Sequence, residues 1–178
     1  MKNQISGIPT LVTFFLLISY SFGEAQNIDK EQKAIEDQVD AFFTSWNKHD
    51  FSDMQNYIDK DCDFVNIVGM HWKGREDIQY ATQSMHEGHF KNVPLEKRSV
   101  SVRFVKPDLA ITHVLMHPLK TFVTPDGTTL GKDDALATFV FVKKGAVWLV
   151  VAVENVVVDE KAKPFNPVTL RNNQKKDK

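Results

Sequence analysis

The sequence predicts a two-layer α+β domain, in which three N-terminal helices pack on the concave face of a curved antiparallel sheet. The first part of the chain has apolar residues at helical spacing, whereas the second part consists of long β-branched and aromatic stretches separated by short turn sequences. A sheet curved in this way forms a cone with one open end. Inward-pointing side chains at that end are expected to line a cavity that suits a small ligand.

The helical part contains three segments. Apolar residues recur at helical spacing up to Trp46, and Asp29 followed by Gln32 is typical of a helix start, so a first helix is predicted over about residues 28–48. Ser52 begins a second start pattern of the same kind, which predicts a short second helix. A third helix is predicted to open after Gly74, because two acidic residues follow it at the positive end of the helix dipole.

The strand part predicts a meander. A first strand is expected in the stretch CDFVNIVG, residues 62–69, followed by a short return strand in MHWKG. Four further consecutive strands, each with β-branched and aromatic residues, are predicted to pair antiparallel with their neighbours. Their sequences are LEKRSVSVRFV, LAITHVLMHPLKTFV, DALATFVFVKK and AVWLVVAVENVVV.

Residues 1–26 have the pattern of a secretory signal peptide. Lys2 precedes an apolar stretch of about 15 residues, which is shorter than the roughly 20 residues needed to span a bilayer. Small residues at Gly23 and Ala25 offer cleavage points, and an uncleaved membrane anchor is the alternative. The sequence therefore predicts an exported protein, periplasmic or extracellular, with a single mature domain over residues 27–160.

A polar basic tail, residues 161–178, is predicted to follow the domain. The whole chain has a net charge of −1, but the tail carries +5, which leaves −6 on residues 27–160. An acidic domain is a poor match for nucleic acid, which is bound through clustered Lys and Arg. The tail could touch an anionic surface, or it could be a solvated end in which Pro164 and Pro167 prevent regular structure.

The sequence lacks the motifs of several common kinds of catalytic and metal site. Cys62 is the single cysteine, which excludes an intrachain disulfide and a cysteine-based zinc site. The sequence contains no HExxH motif, no Gly-rich phosphate loop and no GxSxG elbow. Neither a metal nor a cofactor is therefore predicted.

Four stretches resemble one superfamily. SWNKHD, DCDFVNIVGMHWKGREDI, HFKNVPLEKRSVSVRFVKPDLAITHV and VWLVVAVENVVV are similar to the nuclear-transport-factor-2-like superfamily, and more narrowly to its SgcJ/EcaC and SnoaL-like members, over about residues 30–158. The resemblance implies a cone-shaped, cystatin-like α+β barrel, often a homodimer through the sheet, with a pocket between the third helix and the inner sheet face. Relatives include ketosteroid isomerases, polyketide cyclases, dehydratases and exported proteins without known activity, so the fold does not specify the reaction.

Two histidines in SMHEGHF, residues 84–90, are the leading candidates for chemistry. Members of the family often carry a histidine where Thr82 stands here and another at His86, and in this chain the second remains. His86 is predicted to be the catalytic proton-transfer residue, since histidine titrates near neutral pH. A polar helix-end residue bonded to backbone is the alternative. Gly88 is expected to end the helix before His89, which is assigned to the pocket wall.

Two asparagines interrupt apolar strand rows. Asn66 is expected to share a face with Phe64, and Asn155 to end a row made up of Leu149, Val151 and Val153. Each amide could donate to a carbonyl or enolate oxygen of a ligand, or each could be a structural cap of the cone. The orientation of Glu154 in the same strand is left open, with a position in solvent or in an interface preferred.

The remaining candidates are aromatic residues and strand histidines. His113 and His117 are four residues apart in one strand and therefore point the same way, either into the cavity or onto the edge or dimer surface. The complete predicted pocket comprises Trp46, Phe64, Asn66, Trp72, Thr82, His89, His117 and Asn155, beside the catalytic candidate His86.

These features lead to three hypotheses about function. The first is an exported domain that binds a hydrophobic small molecule and catalyses isomerase-like or cyclase-like proton transfer at its carbonyl group, with His86 moving the proton. The second is a carrier or sensor without catalysis that uses the same cavity. The third is a dimerisation or association module that uses the sheet as its interaction surface. No nucleic-acid partner and no stable membrane anchor are predicted.

Overall fold

The computed structural model describes residues 9–124 and 126–176, with side chains from residue 27 onward apart from residues 174 and 176. Residues 1–8 of the predicted signal peptide lie outside the described residues. The helices are α1 (Pro9–Lys48), α2 (Arg75–Glu87) and α3 (Pro167–Lys176), with short 3-10 turns at Met54–Asn56 and Lys163–Phe165. The strands are β1 (Ile58–Val65), β2 (His71–Lys73), β3 (Leu95–Lys106), β4 (Leu109–Pro118), β5 (Phe122–Val123), β6 (Thr129–Leu130), β7 (Ala135–Lys144) and β8 (Val147–Val157).

Six strands form the main sheet in the order β2-β1-β8-β7-β4-β3, and β5 pairs with β6 in a separate hairpin. The predicted meander is confirmed, since β3, β4, β7 and β8 pair antiparallel with their neighbours in sequence order. The one parallel pair in the described sheet joins β1 to β8. Extra residues in β3 and β8 shift the strand register, and such bulges bend a sheet. The α+β class with a curved, mostly antiparallel sheet is therefore as predicted.

The core lies between the helices and one face of this sheet. Phe42 of α1 packs against Phe139 of β7 with ring centroids 5.9 Å apart. The carboxylate of Glu31 joins the same layers, because it accepts hydrogen bonds from Lys143 Nζ at 2.6 Å and from Trp148 Nε1 at 2.7 Å. Burial of one apolar stripe on α1 against the sheet thus fixes the helical layer.

Several predicted boundaries were wrong. Helix α1 begins at Pro9 instead of residue 28, because the chain before Asp29 is itself helical and the start pattern at Asp29 caps no helix end. Strand β1 ends at Val65, so Asn66 lies in a turn. The tail contains α3 although Pro167 was expected to prevent structure, because proline is tolerated at the first position of a helix.

No helix of the described residues is long and apolar enough to cross a membrane.

Candidate functional site

A cavity of about 640 Å³ opens between α2, the end of α1 and the inner face of the sheet. The β1–β2 turn and the β5–β6 hairpin complete its rim. Most of the lining side chains are aromatic, aliphatic or a methionine thioether. A concave apolar chamber with a few polar groups is the usual form of a small-molecule site.

Most of the residues that were predicted from the sequence to form a pocket line this cavity. Two do not, since neither His86 nor His117 is among the lining residues. The nominated residues that line the cavity are Trp46, Phe64, Asn66, Trp72, Thr82, His89 and Asn155.

Aromatic pairs hold the cavity wall in place. The rings of Phe64 and Trp72 stack across the β1–β2 pair with centroids 5.5 Å apart. The indole of Trp46 is fixed by its Nε1, which donates to the backbone oxygen of Val93 at 2.9 Å. Rings held in this way present a preformed apolar surface at little entropic cost on binding.

His86 lies behind this wall. Its side chain is 2% exposed, and its ring packs against Trp46 at 4.4 Å and Phe51 at 4.8 Å between centroids. Position 86 therefore faces the end of α1 and not the cavity. The predicted role of His86 as a base that touches the substrate is not compatible with this placement, since proton abstraction requires hydrogen-bond reach.

His86 is paired with a second histidine that the sequence did not nominate. The Nδ1 atoms of His49 and His86 are 2.8 Å apart, so one imidazole donates and the other accepts. Burial, with a smaller contribution from the charge of His49, lowers the pKa of His86 to about 4 from its ordinary 6.5. His86 is consequently neutral at physiological pH, and its Nε2 is buried without a hydrogen-bond partner.

Two titratable groups among the described residues line the cavity itself. His89 follows the helix end at Gly88, as predicted, and is exposed at the rim. Asp126 stands in the β5–β6 turn, where hydrogen bonds from the Thr124 hydroxyl and the Thr128 backbone lower the pKa of its carboxyl. Asp126 therefore remains an anion, and its carboxylate is hydrogen-bonded within its own turn.

The two asparagines differ in what they can offer a ligand. The amide oxygen of Asn66 is already hydrogen-bonded within the β1–β2 turn, because Oδ1 accepts from Val68 N at 3.1 Å and from Met70 N at 2.8 Å. Asn155 stands on β8 with its Oδ1 buried and without a hydrogen-bond partner. Asn155 is therefore a polar lining residue whose buried oxygen is not already used by the fold.

A bulge in β8 decides which side chains share the inner face with Asn155. The strand pairs Val140 with Ala152 and Phe141 with Val150, which leaves Val151 as an extra residue. The expected row of Leu149, Val151, Val153 and Asn155 is therefore right only for its last two residues, because the bulge inverts the alternation before Val153. The buried residues that precede Asn155 on the inner face are Trp148, Val150 and Val153.

The other strand candidates point away from the cavity. His117 Nδ1 lies 2.8 Å from Asp134 Oδ1, and Arg98 Nη1 donates to both oxygens of that carboxylate at 2.8 Å. His113 is exposed on the same outer face, and Glu154 is exposed on the outer face of β8. The placement of His117 in the pocket is thus corrected, since Thr112, Val114 and Met116 are the inward residues of β4.

Sequence reasoning missed the contribution of the loop after β4. The β5–β6 hairpin supplies Phe122, Thr124, Thr128 and Leu130 to the lining, and Phe122 contacts Phe90 at 4.6 Å between centroids. The turn sequence TPDGTT is a recognisable hairpin signal, but nothing local to it specifies that the hairpin folds over the cone.

The site offers little to a metal or a nucleophile. Among residues 9–124 and 126–176, no group of three or more His, Cys, Asp or Glu side chains is arranged to hold a metal ion. The thiol of Cys62 is buried in the core, and burial raises its pKa to about 12. This thiol is therefore protonated and unreactive at neutral pH.

The sequence and the fold of this chain are similar to those of known proteins. Residues 39–160 match the model of the SnoaL-like domain. An uncharacterised protein with a cystatin-like fold from Caulobacter vibrioides is 29% identical, with 78% of this chain and 96% of that chain covered at a TM-score of 0.74. No curated protein matches the sequence.

More distant structures share the fold alone. A nuclear-transport-factor-2-like protein with a cystatin-like fold from Novosphingobium aromaticivorans is 15% identical, with 88% of this chain and 96% of that chain covered at a TM-score of 0.62. A type 2 hexachlorocyclohexane dehydrochlorinase, LinA, is 15% identical, with 76% and 90% covered at a TM-score of 0.63. With the matched segment spanning most of the described domain, the chain belongs to the SnoaL-like domain family.

Proposed function

We propose that this protein is an exported domain that binds an uncharged, hydrophobic small molecule in the cavity between α2 and the sheet. The observation that carries the proposal is the cavity itself, about 640 Å³ in volume and walled by aromatic and aliphatic side chains. That volume falls within the usual range of small-ligand sites, which is roughly 300 to 1,000 Å³.

The charge of the lining supports an uncharged ligand. No Lys or Arg lines the cavity among the described residues, so the carboxylate of a fatty acid would have no permanently cationic partner there. An ion without a partner in an apolar site is strongly disfavoured. A neutral compound with a ring system or branched skeleton fits the wall of Trp46, Phe64 and Trp72 better.

Asn155 is the group we assign to the ligand's polar atom. Asn155 is a lining residue, and its buried Oδ1 has no hydrogen-bond partner within the described chain. A buried polar atom without a partner costs about 1–3 kcal/mol, so a ligand hydroxyl or amine that donates to it would recover that cost. Rotation of the same amide presents an N–H donor to a ligand carbonyl.

Binding of a neutral fluorescent probe, N-phenyl-1-naphthylamine, tests the proposal. Ala135 points into the cavity from β7, so Ala135→Phe is expected to fill part of the volume and weaken probe binding about tenfold or more. Ala146 is exposed in the β7–β8 turn, and Ala146→Phe is the matched control that leaves binding unchanged. Equal affinities for both variants would contradict the cavity as the binding site.

Proton transfer from a bound carbonyl compound is a second candidate function. Its supporting observation is His89, which lines the cavity rim and replaces His86 as the imidazole that could reach a ligand. The similarity to a dehydrochlorinase supports the fold alone at 15% identity. If His89 is a base, deuterium exchange at the α-carbon of a bound ketone, followed by NMR, falls sharply in His89→Gln while probe affinity is retained.

Association through the sheet is proposed alongside ligand binding. The outer face of β4, β7 and β8 carries half-buried apolar side chains, among them Ile111, Leu115, Val140 and Leu149. His113, Thr138 and Glu154 form a polar row across this face. The apolar side chains on either side of that row are typical of a surface that a partner covers. Sedimentation equilibrium of the mature protein is expected to give a dimer, and Val140→Lys is expected to give a monomer that still binds the probe.

Export rests on residues 1–26, whose composition is that of a signal peptide. Expression of the full chain in a bacterial host, followed by mass spectrometry of the periplasmic fraction, is expected to find an N-terminus just after Gly23 or Ala25. An intact N-terminus in the cytoplasmic fraction would refute export.

A further inference from the structure

The His49–His86 pair lies where α1 ends and α2 ends, one residue layer behind the cavity. The two Nδ1 atoms are 2.8 Å apart, and the rings are 5.0 Å apart between centroids. His86 also contacts Trp46 at 4.4 Å and Phe90 at 5.6 Å, and both of these rings line the cavity. Any rearrangement of the pair is therefore passed to the cavity wall by direct contact.

The backbone around the pair is held in an uncommon conformation. His49 has φ of +57°, a left-handed value that is unfavourable for most residues. Gln83 of α2 keeps this segment in place, because its Nε2 donates to His49 O and its Oε1 accepts from Phe51 N, each at 3.2 Å. The end of α1 is thus tied to α2 by the imidazole pair and by one glutamine.

The chemistry of the pair depends on how many protons it carries. With both rings neutral, one Nδ1–H donates to the other Nδ1, and one added proton leaves that hydrogen bond possible. When both rings are protonated, two N–H donors and two positive charges face each other across 2.8 Å, with no acceptor between them. The contact cannot survive in that form.

Neighbouring charges do not relieve the doubly protonated pair. The Asp50 carboxylate accepts from Ser52 N at 2.9 Å, and the Asp53 carboxylate accepts from Ser45 at 2.8 Å. On α2, the Glu87 carboxylate accepts from Gln83 at 3.5 Å, and just beyond the end of α2 His89 contacts Phe90. None of these four titratable groups forms a hydrogen bond or an ion pair with either imidazole in the described structure.

We propose that the His49–His86 pair is an acid-sensitive latch that joins α1 to α2 when at least one imidazole is neutral and opens the cavity wall when both are protonated. Opening displaces Trp46 and Phe90, so the cavity releases its ligand in acid. This inference rests on the proposed function, because it concerns regulation of the same cavity. Ligand release in acidic surroundings suits a protein that meets changing pH outside the cytoplasm.

His49→Asn is the variant that isolates the latch. Asparagine tolerates positive φ, and its side-chain amide places a donor or an acceptor where the Nδ1 of histidine stands. It therefore preserves the bond to His86 but can turn its oxygen toward a protonated His86. His113→Asn removes an exposed histidine on the outer sheet face and serves as the matched control.

The experiment measures the affinity of N-phenyl-1-naphthylamine from about pH 7.5 to about pH 3.5, because His86, with a pKa of about 4 in the folded protein, takes up its proton only at the lower end of this range. In the wild type and in His113→Asn, the Kd is expected to rise about tenfold or more, while in His49→Asn it rises less than about twofold. The same acid weakening in His49→Asn as in the wild type would overturn the latch.

Hydrogen exchange read by mass spectrometry separates failure of the latch from failure of the binding proposal. Peptides that cover residues 83–90 are expected to lose protection in acid in the wild type, after correction for intrinsic exchange, and to keep it in His49→Asn. If the probe does not bind at any pH but this difference is seen, the latch stands and the proposed ligand class fails. Unchanged protection in the wild type would overturn the latch whatever the probe does.

Discussion

The free energy of unfolding should depend on pH through His86. Its pKa is about 4 in the folded protein, against an ordinary value of 6.5, because burial and the neighbouring His49 disfavour the charged form. At a pH between these values the unfolded chain binds the proton and the folded chain does not, so unfolding is favoured. The stabilisation is therefore complete above about pH 6.5 and is lost as the pH falls toward 4.

The size of this effect follows from the shift. Each pKa unit corresponds to about 1.4 kcal/mol, so a fully buried His86 accounts for roughly 3 kcal/mol between its two pKa values. Hydrogen bonds from Lys143 and Trp148 lower the pKa of the Glu31 carboxyl below its ordinary 4.5. The stability that ionised Glu31 contributes is therefore lost only as the pH falls below 4.5. The interval from about pH 6.5 to about pH 4.5 therefore isolates His86 from Glu31.

Urea unfolding at a series of pH values measures this dependence. The wild type is expected to lose about 2–3 kcal/mol across the interval, and His86→Phe, which keeps an aromatic ring but removes the titrating group, is expected to lose less than about 1 kcal/mol. His113→Phe, at an exposed position, should behave as the wild type does. The reasoning is refuted if the wild type and His86→Phe have the same pH slope.

Two further substitutions test how the layers and the rim are held. Glu31→Gln weakens the hydrogen bonds to Lys143 and Trp148 that join α1 to the sheet, and chemical denaturation is expected to show a loss of about 1–3 kcal/mol. Gly131 has φ of +86°, and an added Cβ would lie 2.9 Å from Lys120 O, so Gly131→Ala is expected to displace the β5–β6 hairpin. Fluorescence titration should then show weaker probe binding with little change in Tm, whereas unchanged affinity would separate the hairpin from the site.

Elements with a strong local pattern were predictable from the sequence. Helix α2 opens after Gly74, and its acidic first turn and apolar face place it correctly. The strands β3, β4, β7 and β8 have enough β-branched and aromatic residues to specify a meander, and the short turns between β3 and β4 and between β7 and β8 specify antiparallel neighbours. The wall of the pocket was also predictable, because side chains that point inward at the open end of a cone do not meet a partner across a filled core.

Features that depend on tertiary contacts were not predictable in this way. Strict alternation along β8 assigned Asn155 to the row of Leu149, because the bulge at Val151 leaves no mark in the local pattern. The partner of His86 was missed since His49 is 37 positions away and reaches it only through a backbone turn with positive φ. The orientation of His86 toward α1 likewise depends on how the two helices pack.

The methionine methyl groups provide the most direct test of ligand binding in the cavity. Met85 and Met116 line it from α2 and β4, whereas Met54 is buried in the core and is not part of the lining. In protein labelled with carbon-13 at methionine methyl groups, N-phenyl-1-naphthylamine is expected to shift the signals of Met85 and Met116 in a saturable manner and to leave Met54 unchanged. Saturable binding without a shift at Met85 or Met116 would show that the ligand binds elsewhere, and it would contradict the proposed cavity site.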